Sequence, residues 1–421
     1  MRAALILLLP LALQAQNPMR LTLDEAEKLA LQNHPRIAAS RYLAQAAAEV
    51  PTEIRGSQFP VFTGAFSGVG TDGGSRIAAG ALNNPVLYSR IGSGVALSQM
   101  LYDFGRTSDL IETAKLRAQA QDRNVNLSRD IVILDVRRAY FSILRAAALV
   151  RVAEETVKTR QVLFDQVQEL ARNRLKSDLD VRFASVNLAD AKLLVATSQN
   201  QYQAAQAELA AAMGIPQPPA MELAEEAMPG ELPDRVDTLL PEALRNRPEA
   251  QILRLEQSAA ERFVRAEHKL LFPTFGVTAA TGVAPIADDA VRKHYGGIGL
   301  NVSIPIFNGW QFRARRNQAD YRAKSVERQV KDLENRIERD VKTAYLAARN
   351  AEERMSLTSQ LMEQARLALE LAQGRYELGL SSIVELSQAQ LNMTTAQIAN
   401  TNSRYDYQLQ RSVLDFQIGA P

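Results

Sequence analysis

The chain has 421 residues, a near-balanced formal charge of +2 and no cysteine. The balanced charge argues against a nucleic-acid-binding protein, whose basic residues would dominate one face. The absence of cysteine excludes disulfides, thiolate metal sites, cysteine nucleophiles and thioether lipidation of the mature N-terminus.

The first 15 residues have the pattern of a secretory signal peptide. Arg2 is followed by the apolar run 3–13, and Ala15 offers a small residue for cleavage. The run is too short to span a bilayer comfortably, and no later apolar stretch approaches about 20 residues, the length of a membrane helix. We therefore expect export, and if the mature chain enters a membrane it does so as strands.

The mature chain is a duplication. A shift of about 205 positions aligns residues 103–214 with 308–419, and a shift of about 213 aligns the segments before them. Because a repeat fixes the architecture more firmly than any single element does, we expect one pseudo-symmetric object. The predicted boundaries are a signal peptide over 1–15, a first repeat over 16–214, a linker over 215–235 and a second repeat over 236–421.

Each repeat is predicted to open with two short helices, separated by Pro35 in the first copy and by Pro248 in the second. The period then changes to the alternation of strands. Predicted strands cover 59–70 and 91–102 in the first copy, and 275–283 and 296–307 in the second. One face of the last strand is purely aliphatic and the other is small and polar.

This strand pattern fits a soluble sandwich as well as a membrane barrel. The length of the strands, the export signal and the aromatic residues near strand ends favour the barrel. A closed barrel needs at least about eight strands. The chain supplies only half of them, so several chains would have to pool their strands.

A long helix follows the strands in each repeat, over residues up to 172 and over 311–376, where proline is absent and Ala, Gln, Glu, Arg and Leu abound. A helix of that length spans on the order of 100 Å at about 1.5 Å per residue. Each long helix ends at a turn, over 173–177 and 377–381, and a returning helix rich in small and amide residues runs to Gly214 or Gly419. Small residues allow close helix packing, and uncharged polar residues suit a wall that faces water.

Four segments of the sequence stand out: the two strand ends at 101–106 and 306–310, the opening at 21–26 with Asn33, His34 and Pro35, and the tip at 376–386. Together they resemble the TolC-type outer-membrane efflux proteins. The resemblance covers nearly the whole mature chain. It implies an α+β membrane protein in which each chain of a homotrimer gives four strands to a shared twelve-stranded outer-membrane barrel, continued by a long α-helical coiled-coil tunnel through the periplasm.

The implied function is that of a passive, water-filled exit duct of a tripartite efflux or type I secretion system. A periplasmic adaptor protein and an inner-membrane pump, of RND or ABC type, would dock at the tip of the tunnel and open it. Besides these partners, the resemblance implies contact with outer-membrane lipid. It implies no enzyme, no catalytic residues, no cofactor, no metal and no nucleic acid.

The resemblance also assigns site residues. At the second tip, the family's two acidic positions fall on Glu385 and Gln388, so we expect one ring of three carboxylates, with Asp178 and Asp180 of the first tip as contributors to the constriction. The predicted adaptor-docking residues are Arg174, Leu175, Lys176 and Ser177 at the first tip and Leu378, Gly379, Leu380 and Ser381 at the second. Arg174 stands where the family usually has glycine, and Met100 replaces a strand proline that the second copy keeps as Pro305.

The residues leave other interpretations open. The sequence contains no phosphate-binding glycine loop, HExxH or GxSxG motif. Its three histidines fit surface or capping roles, and Asp288 with Asp289 fits a solvated pair in an outer loop. An acid at the position of Glu385 is favoured by the helix dipole in any protein. The alternative function is a soluble periplasmic coiled-coil adaptor or chaperone, which carbonate extraction would separate from a membrane protein.

Overall fold

The computed structural model describes residues 19–70, 89–216, 221–233, 235–286 and 292–420. The predicted signal peptide and the Asp288–Asp289 pair lie outside these ranges. The chain divides into two compact units, one made of residues up to 39, 126–247 and from 335 onward, the other of 40–125 and 248–334. Each unit contains corresponding parts of both repeats. The boundaries predicted from the sequence follow the repeats instead, and they stay a prediction.

Six strands and eight α-helices are described, together with two short 3-10 turns. In chain order they are β1 Met19–Leu21, α1 Leu23–Asn33, α2 Pro35–Gly56, β2 Val61–Val69, β3 Arg90–Tyr102, α3 Arg106–Arg172, α4 Asp178–Met213, β4 Met221–Leu223, α5 Leu240–Asn246, α6 Pro248–His268, β5 Thr274–Ile286, β6 His294–Ser303, α7 Gln311–Glu377 and α8 Ile383–Ile418.

The opening helices form where the sequence places them. Thr22 caps α1 through a capping box, in which its hydroxyl accepts the N–H of Glu25 at 3.3 Å and the Glu25 carboxylate accepts the N–H of Thr22 at 2.9 Å. These hydrogen bonds lower the pKa of Glu25. In the second repeat the first helix is shorter than expected, because Pro241 is accommodated only in the first turn and α5 therefore starts at Leu240.

The four long strands form one antiparallel sheet in the order β2-β3-β5-β6. The pairing of β3 with β5 joins the two repeats, with Gly94 opposite Gly282. Strands β2 and β6 are outermost in this sheet, and every residue of β6 is exposed. The prediction that the last strand continues to residue 307 is wrong. Pro305 has no N–H to donate, and β5 ends its pairing where Thr274 meets Ser303.

The long helices are uninterrupted, with 67 residues each in α3 and α7 and 36 residues each in α4 and α8. The returning helices end at Gly214 and Gly419, whose φ angles of 71° and 75° are left-handed. A Cβ at Gly214 would lie 2.9 Å from the Cα of His34. Both the backbone conformation and this close approach therefore require glycine.

Two tyrosines at equivalent places in the repeats hold the linker. The Tyr140 hydroxyl, fully buried, donates to the carbonyl of Leu21 at 3.0 Å or of Ala224 at 2.7 Å. In the second copy the Tyr345 hydroxyl donates to the carbonyl of Pro233 at 2.8 Å. The part of the predicted linker that is described is therefore anchored to α3 and α7 by side-chain hydrogen bonds.

Among the described residues, no helix has both the length and the apolar character needed to cross a membrane. In the second unit, a carboxylate is buried near the C-terminal end of α6. Glu267, only 1% exposed, accepts two hydrogen bonds from Arg315 at 2.8 and 2.9 Å, and Arg106 lies 3.5 Å away. A buried charge needs such partners, because an unpaired one would cost several kcal/mol.

Candidate functional site at the helical hairpin tips

The two turns that connect the long helices to their returning helices share one backbone motif. In each, two N–H groups beyond the helix end bond back to its last turn: Leu175 to Leu170 at 2.8 Å, Arg174 to Ala171 at 2.9 Å, Leu380 to Arg375 at 2.8 Å and Gly379 to Tyr376 at 3.0 Å. This is a Schellman motif, which requires a left-handed residue. Gly379 takes that place in the second tip with φ 73°, and Arg174 takes it in the first with φ 61°. A side chain there costs about 1–2 kcal/mol.

The acids that follow the two turns have different partners. Asp180 completes a capping box, in which its carboxylate accepts the N–H of Ser177 at 3.0 Å and its own N–H donates to the Ser177 hydroxyl at 3.2 Å. In the second tip, the hydroxyl of Ser382 accepts the N–H of Glu385 at 3.3 Å. The Glu385 carboxylate instead lies 3.2 Å from Nε of Arg375.

The ion pair between Arg375 and Glu385 is half-exposed, with side-chain exposures of 57% and 46%. An exposed pair of this kind contributes only about 0–1 kcal/mol to stability. The pair matters more for the local charge than for stability, because the Arg375 cation lies beside the carboxylate that is predicted to form the ring. Arg375 was not among the predicted site residues. The sequence could have indicated the pair, because Arg375 stands in the last turn of one helix and Glu385 in the first turn of the next.

The other two predicted constriction residues are exposed. The Gln388 amide donates to the Asn392 side chain at 2.9 Å, one turn further along α8. Asp178 forms no ion pair among the residues the structure describes. Within the same described ranges, no hydrogen bond or ion pair joins Asp178 or Asp180 to Glu385. A single chain therefore presents one free carboxylate, one carboxylate that caps a helix, one cation-paired carboxylate and one amide.

A small apolar core joins the two hairpins of the chain just behind their tips. It consists of Leu163, Val167, Ala184, Ala372, Tyr376, Ile383 and Leu386. At its edge, the Lys176 ammonium lies 4.3 Å from the centre of the Tyr376 ring, a cation–π contact between the first tip and the second. Each tip is thus held by its neighbour and not only by its own turn.

Two hydrogen bonds cross between the hairpins beyond this core. Arg160 donates to the Gln390 side chain at 2.6 Å, and Asn187 donates to the Ser387 hydroxyl at 3.0 Å. Arg160 is only 6% exposed, and burial lowers the pKa of its guanidinium. These contacts were not predictable from local pattern, because their partners are about 200 residues or more apart and meet only through tertiary packing.

Three leucines among the predicted docking residues form an exposed apolar rim. Leu175, Leu378 and Leu380 are 70%, 76% and 67% exposed, and Arg174 is exposed beside them. Lys176 is half-buried because of its contact with Tyr376, and Ser177 is occupied as a helix cap. Exposed leucines grouped in this way are typical of an interaction surface, and Arg174 is the cation left available on it.

The described part of the chain contains no group of three or more His, Asp or Glu side chains that could hold a metal ion. His34 accepts the backbone N–H of Arg36 at 3.2 Å, a capping role. His268 lies 3.5 Å from Asp320 on the surface of the second unit. Both histidines have the local roles that the sequence predicts.

Comparison with solved structures defines the class of fold. The outer-membrane channel CmeC of Campylobacter jejuni superimposes with a TM-score of 0.78 at 18% identity, covering 94% of this chain and 85% of that one. CusC, described in terms of transmembrane channel formation, gives a TM-score of 0.81 at 17% identity, covering 95% and 92%. The chain therefore has the fold of an outer-membrane channel subunit, and the predicted fold class is confirmed.

Sequence comparison gives the family. The profile of the outer membrane efflux protein family matches residues 27–215 and 239–420, one segment for each repeat. Outer membrane protein TolC of Salmonella enteritidis is 23% identical over 418 residues, covering 94% of this chain and 83% of TolC. The solvent efflux pump outer membrane protein SrpC of Pseudomonas putida is 26% identical over 366 residues, covering 84% and 75%.

The chain belongs to the outer membrane efflux protein family. It is a transport protein of the outer membrane that extends into the periplasm, and it is not an enzyme. These matches confirm the resemblance drawn from the sequence and set aside the alternative of a soluble adaptor or chaperone. The roles of the individual tip residues are a separate matter.

Proposed function

We propose that this chain is one of three subunits of a passive exit duct, which opens when a periplasmic adaptor and an inner-membrane pump dock at the hairpin tips. Three sheets would join through their outermost strands, β2 of one subunit pairing with β6 of the next, to close a twelve-stranded barrel. Strands β2 and β6 each have an outer edge that no described strand pairs with, and β6 is fully exposed, which supports this arrangement. The energy for transport would come from the pump.

The observation that carries the proposal is the construction of the tips. Two hairpins of one chain share a core and a cation–π contact, yet they expose a leucine rim and place Glu385 in the first turn of α8. Contacts that hold the hairpins together resist opening, and an exposed apolar rim offers a partner the surface on which to overcome them. Three copies of Glu385 would form the ring at the constriction.

The electrical properties of that ring test the proposal. Arg375 neutralises part of the Glu385 charge, so block of the reconstituted channel by divalent or trivalent cations is expected to be weak in the native protein. Arg375→Gln would free the three carboxylates and lower the blocking concentration by at least about tenfold, because each charge contributes on the order of 1 kcal/mol to a close cation and about 1.4 kcal/mol is tenfold. Glu385→Gln would raise the blocking concentration, because it leaves the Arg375 cation unpaired, and the double variant, which removes both charges, would lie between the two single variants.

Planar-bilayer recordings give the measurement. The matched control is Glu363→Gln, which removes a carboxylate paired with Arg366 at 2.6 Å on the same helix as Arg375. Glu363 lies 14 residues before the end of α7, about 21 Å along the helix. Its loss should leave block unchanged. Equal block in the native, Arg375→Gln and Glu385→Gln channels would contradict the assignment of Glu385 to the constriction.

A further inference from the structure

A short surface of the second unit changes from aliphatic to aromatic to cationic within ten residues. Ile304 and Ile306 follow β6 and are 60% and 93% exposed, and Phe307 and Trp310 are 73% and 66% exposed. The Phe307 and Trp310 rings meet edge to face with their centres 5.9 Å apart. The guanidinium carbon of Arg313 lies 5.9 Å from the Trp310 ring centre. We call these five residues the interface patch.

The backbone at Trp310 is unfavourable for a large side chain. Its φ of 66° is left-handed, a conformation that costs a residue other than glycine about 1–2 kcal/mol. The first repeat has Gly105 at the equivalent position, with φ 79°. Both turns thus have two left-handed residues, one glycine and one aromatic, and in the second repeat the aromatic residue is the one directly before the long helix. Strain of this kind is typical of functional positions.

The charge of Arg313 is not neutralised within the described residues. No ion pair or hydrogen bond connects it to a carboxylate there, and its contact is the Trp310 ring. The acids on the neighbouring elements have other partners: Glu267 pairs with Arg106 and Arg315, Asp109 with Lys269 and Arg262, and Asp320 with His268. Glu327, on the same helix, is exposed and 14 residues further along. The patch therefore presents an unneutralised cation directly below exposed aromatic rings.

The distance from Trp310 along α7 determines which layer of a bilayer the Arg313 guanidinium can reach. The polar layer on each side of a bilayer's hydrocarbon core is roughly 5–7 Å thick. Arg313 follows Trp310 by three residues, about 4.5 Å of helix, so it lies within that layer when the rings lie at its boundary. Lys324 also lies near an aromatic ring, 6.0 Å from that of Tyr321, but 14 residues after Trp310. At about 21 Å it is beyond the layer.

We propose that the interface patch binds the phosphate of an anionic phospholipid in the periplasmic leaflet of the outer membrane. The acyl chains would lie on Ile304 and Ile306, the aromatic rings at the hydrocarbon boundary, and Arg313 on the phosphate. The first repeat has Ser108 at the position of Arg313, so the site occurs once per chain. The inference rests on the proposed insertion of the strands in the outer membrane.

Native mass spectrometry of the detergent-extracted protein, titrated with phosphatidylglycerol or with phosphatidylethanolamine, tests the patch. The native protein should retain phosphatidylglycerol in preference to phosphatidylethanolamine. Arg313→Gln should weaken phosphatidylglycerol retention by about fivefold, the effect of one basic residue at a membrane surface, and Arg313→Lys should keep part of it. Lys324→Gln, the matched control, should behave like the native protein. Equal retention by Arg313→Gln and the native protein, or an equal loss in Lys324→Gln, would overturn the proposal.

Two further measurements distinguish a lipid site from a phosphate site and from a general loss of structure. Excess inorganic phosphate should not displace the lipid, and displacement would show a site for free phosphate and contradict the lipid assignment. The same spectra report whether Arg313→Gln keeps its oligomeric state, and bilayer recordings report whether it conducts. Normal conductance without lipid discrimination would refute the patch alone, whereas a native protein that forms no channel would refute the proposed function.

Discussion

Asp180 and Glu385, the acids in the first turns of α4 and α8, have different charge environments. Both acids stand three residues after a serine that caps a helix. Asp180 bonds to the backbone of its own turn, whereas Glu385 pairs with Arg375 across the turn. Capping is a local effect, so both acids stand in the first turn of a helix. Their charge partners depend instead on which helix ends approach one another.

The buried contact between Arg160 and Gln390 is where loss of a single group should destabilise the protein most clearly. Gln390→Leu would remove the acceptor of a guanidinium that is only 6% exposed, at an expected cost of about 2–3 kcal/mol. Thermal melting in detergent would detect it. Gln388→Leu, which removes an exposed amide two residues earlier on α8, should change stability by less than about 0.5 kcal/mol. Similar melting temperatures for the two variants would contradict the assigned role of Arg160.

At the scale of elements, most of the secondary structure followed from local pattern. Absence of proline over the long helices, glycine at the ends of α4 and α8 and alternation in the strands are local signals, and the observed bounds lie within a few residues of the predicted ones. Pairing of β3 with β5 and the core behind the tips were not readable, since they join segments from different repeats. The end of β6 was predicted wrongly for the same reason, because it depends on where its partner β5 stops pairing.

Substitutions of Arg174 can separate the effect of its left-handed backbone from the effect of its exposed charge. Arg174→Gly should relieve the left-handed conformation and stabilise the first tip by about 1 kcal/mol, which hydrogen exchange of the α3–α4 turn would report. Arg174→Glu keeps the backbone conformation and reverses the exposed charge. It should reduce capture of the adaptor in a pull-down by at least about tenfold while the melting temperature stays constant, since surface changes usually alter stability by less than about 0.5 kcal/mol.

Arg174→Gln is the control for this pair of variants, because it removes the charge and keeps a side chain in the left-handed conformation. It should fall between the native protein and Arg174→Glu in adaptor capture and match both in stability. Adaptor capture unaffected by charge reversal would mean that the docking contact does not include Arg174.

At the scale of the whole molecule, the duplication and the sheet argue for assembly. Each repeat contributes two strands to the four-stranded sheet, and each outermost strand has an edge that no described strand pairs with. On β6, Ile298 and Leu300 are 81% and 67% exposed, so the aliphatic part of this face has no cover from the residues that the structure describes. Lipid on that face and a second copy at each edge would satisfy both features.

Negative-stain imaging of the detergent-extracted protein tests this assembly most directly. The account predicts particles with three-fold symmetry in end view that require detergent to stay dispersed. Monomers that remain soluble without detergent would contradict it, because the aliphatic face of β6 and the unpaired strand edges would then be covered in some other way than by lipid and neighbouring subunits.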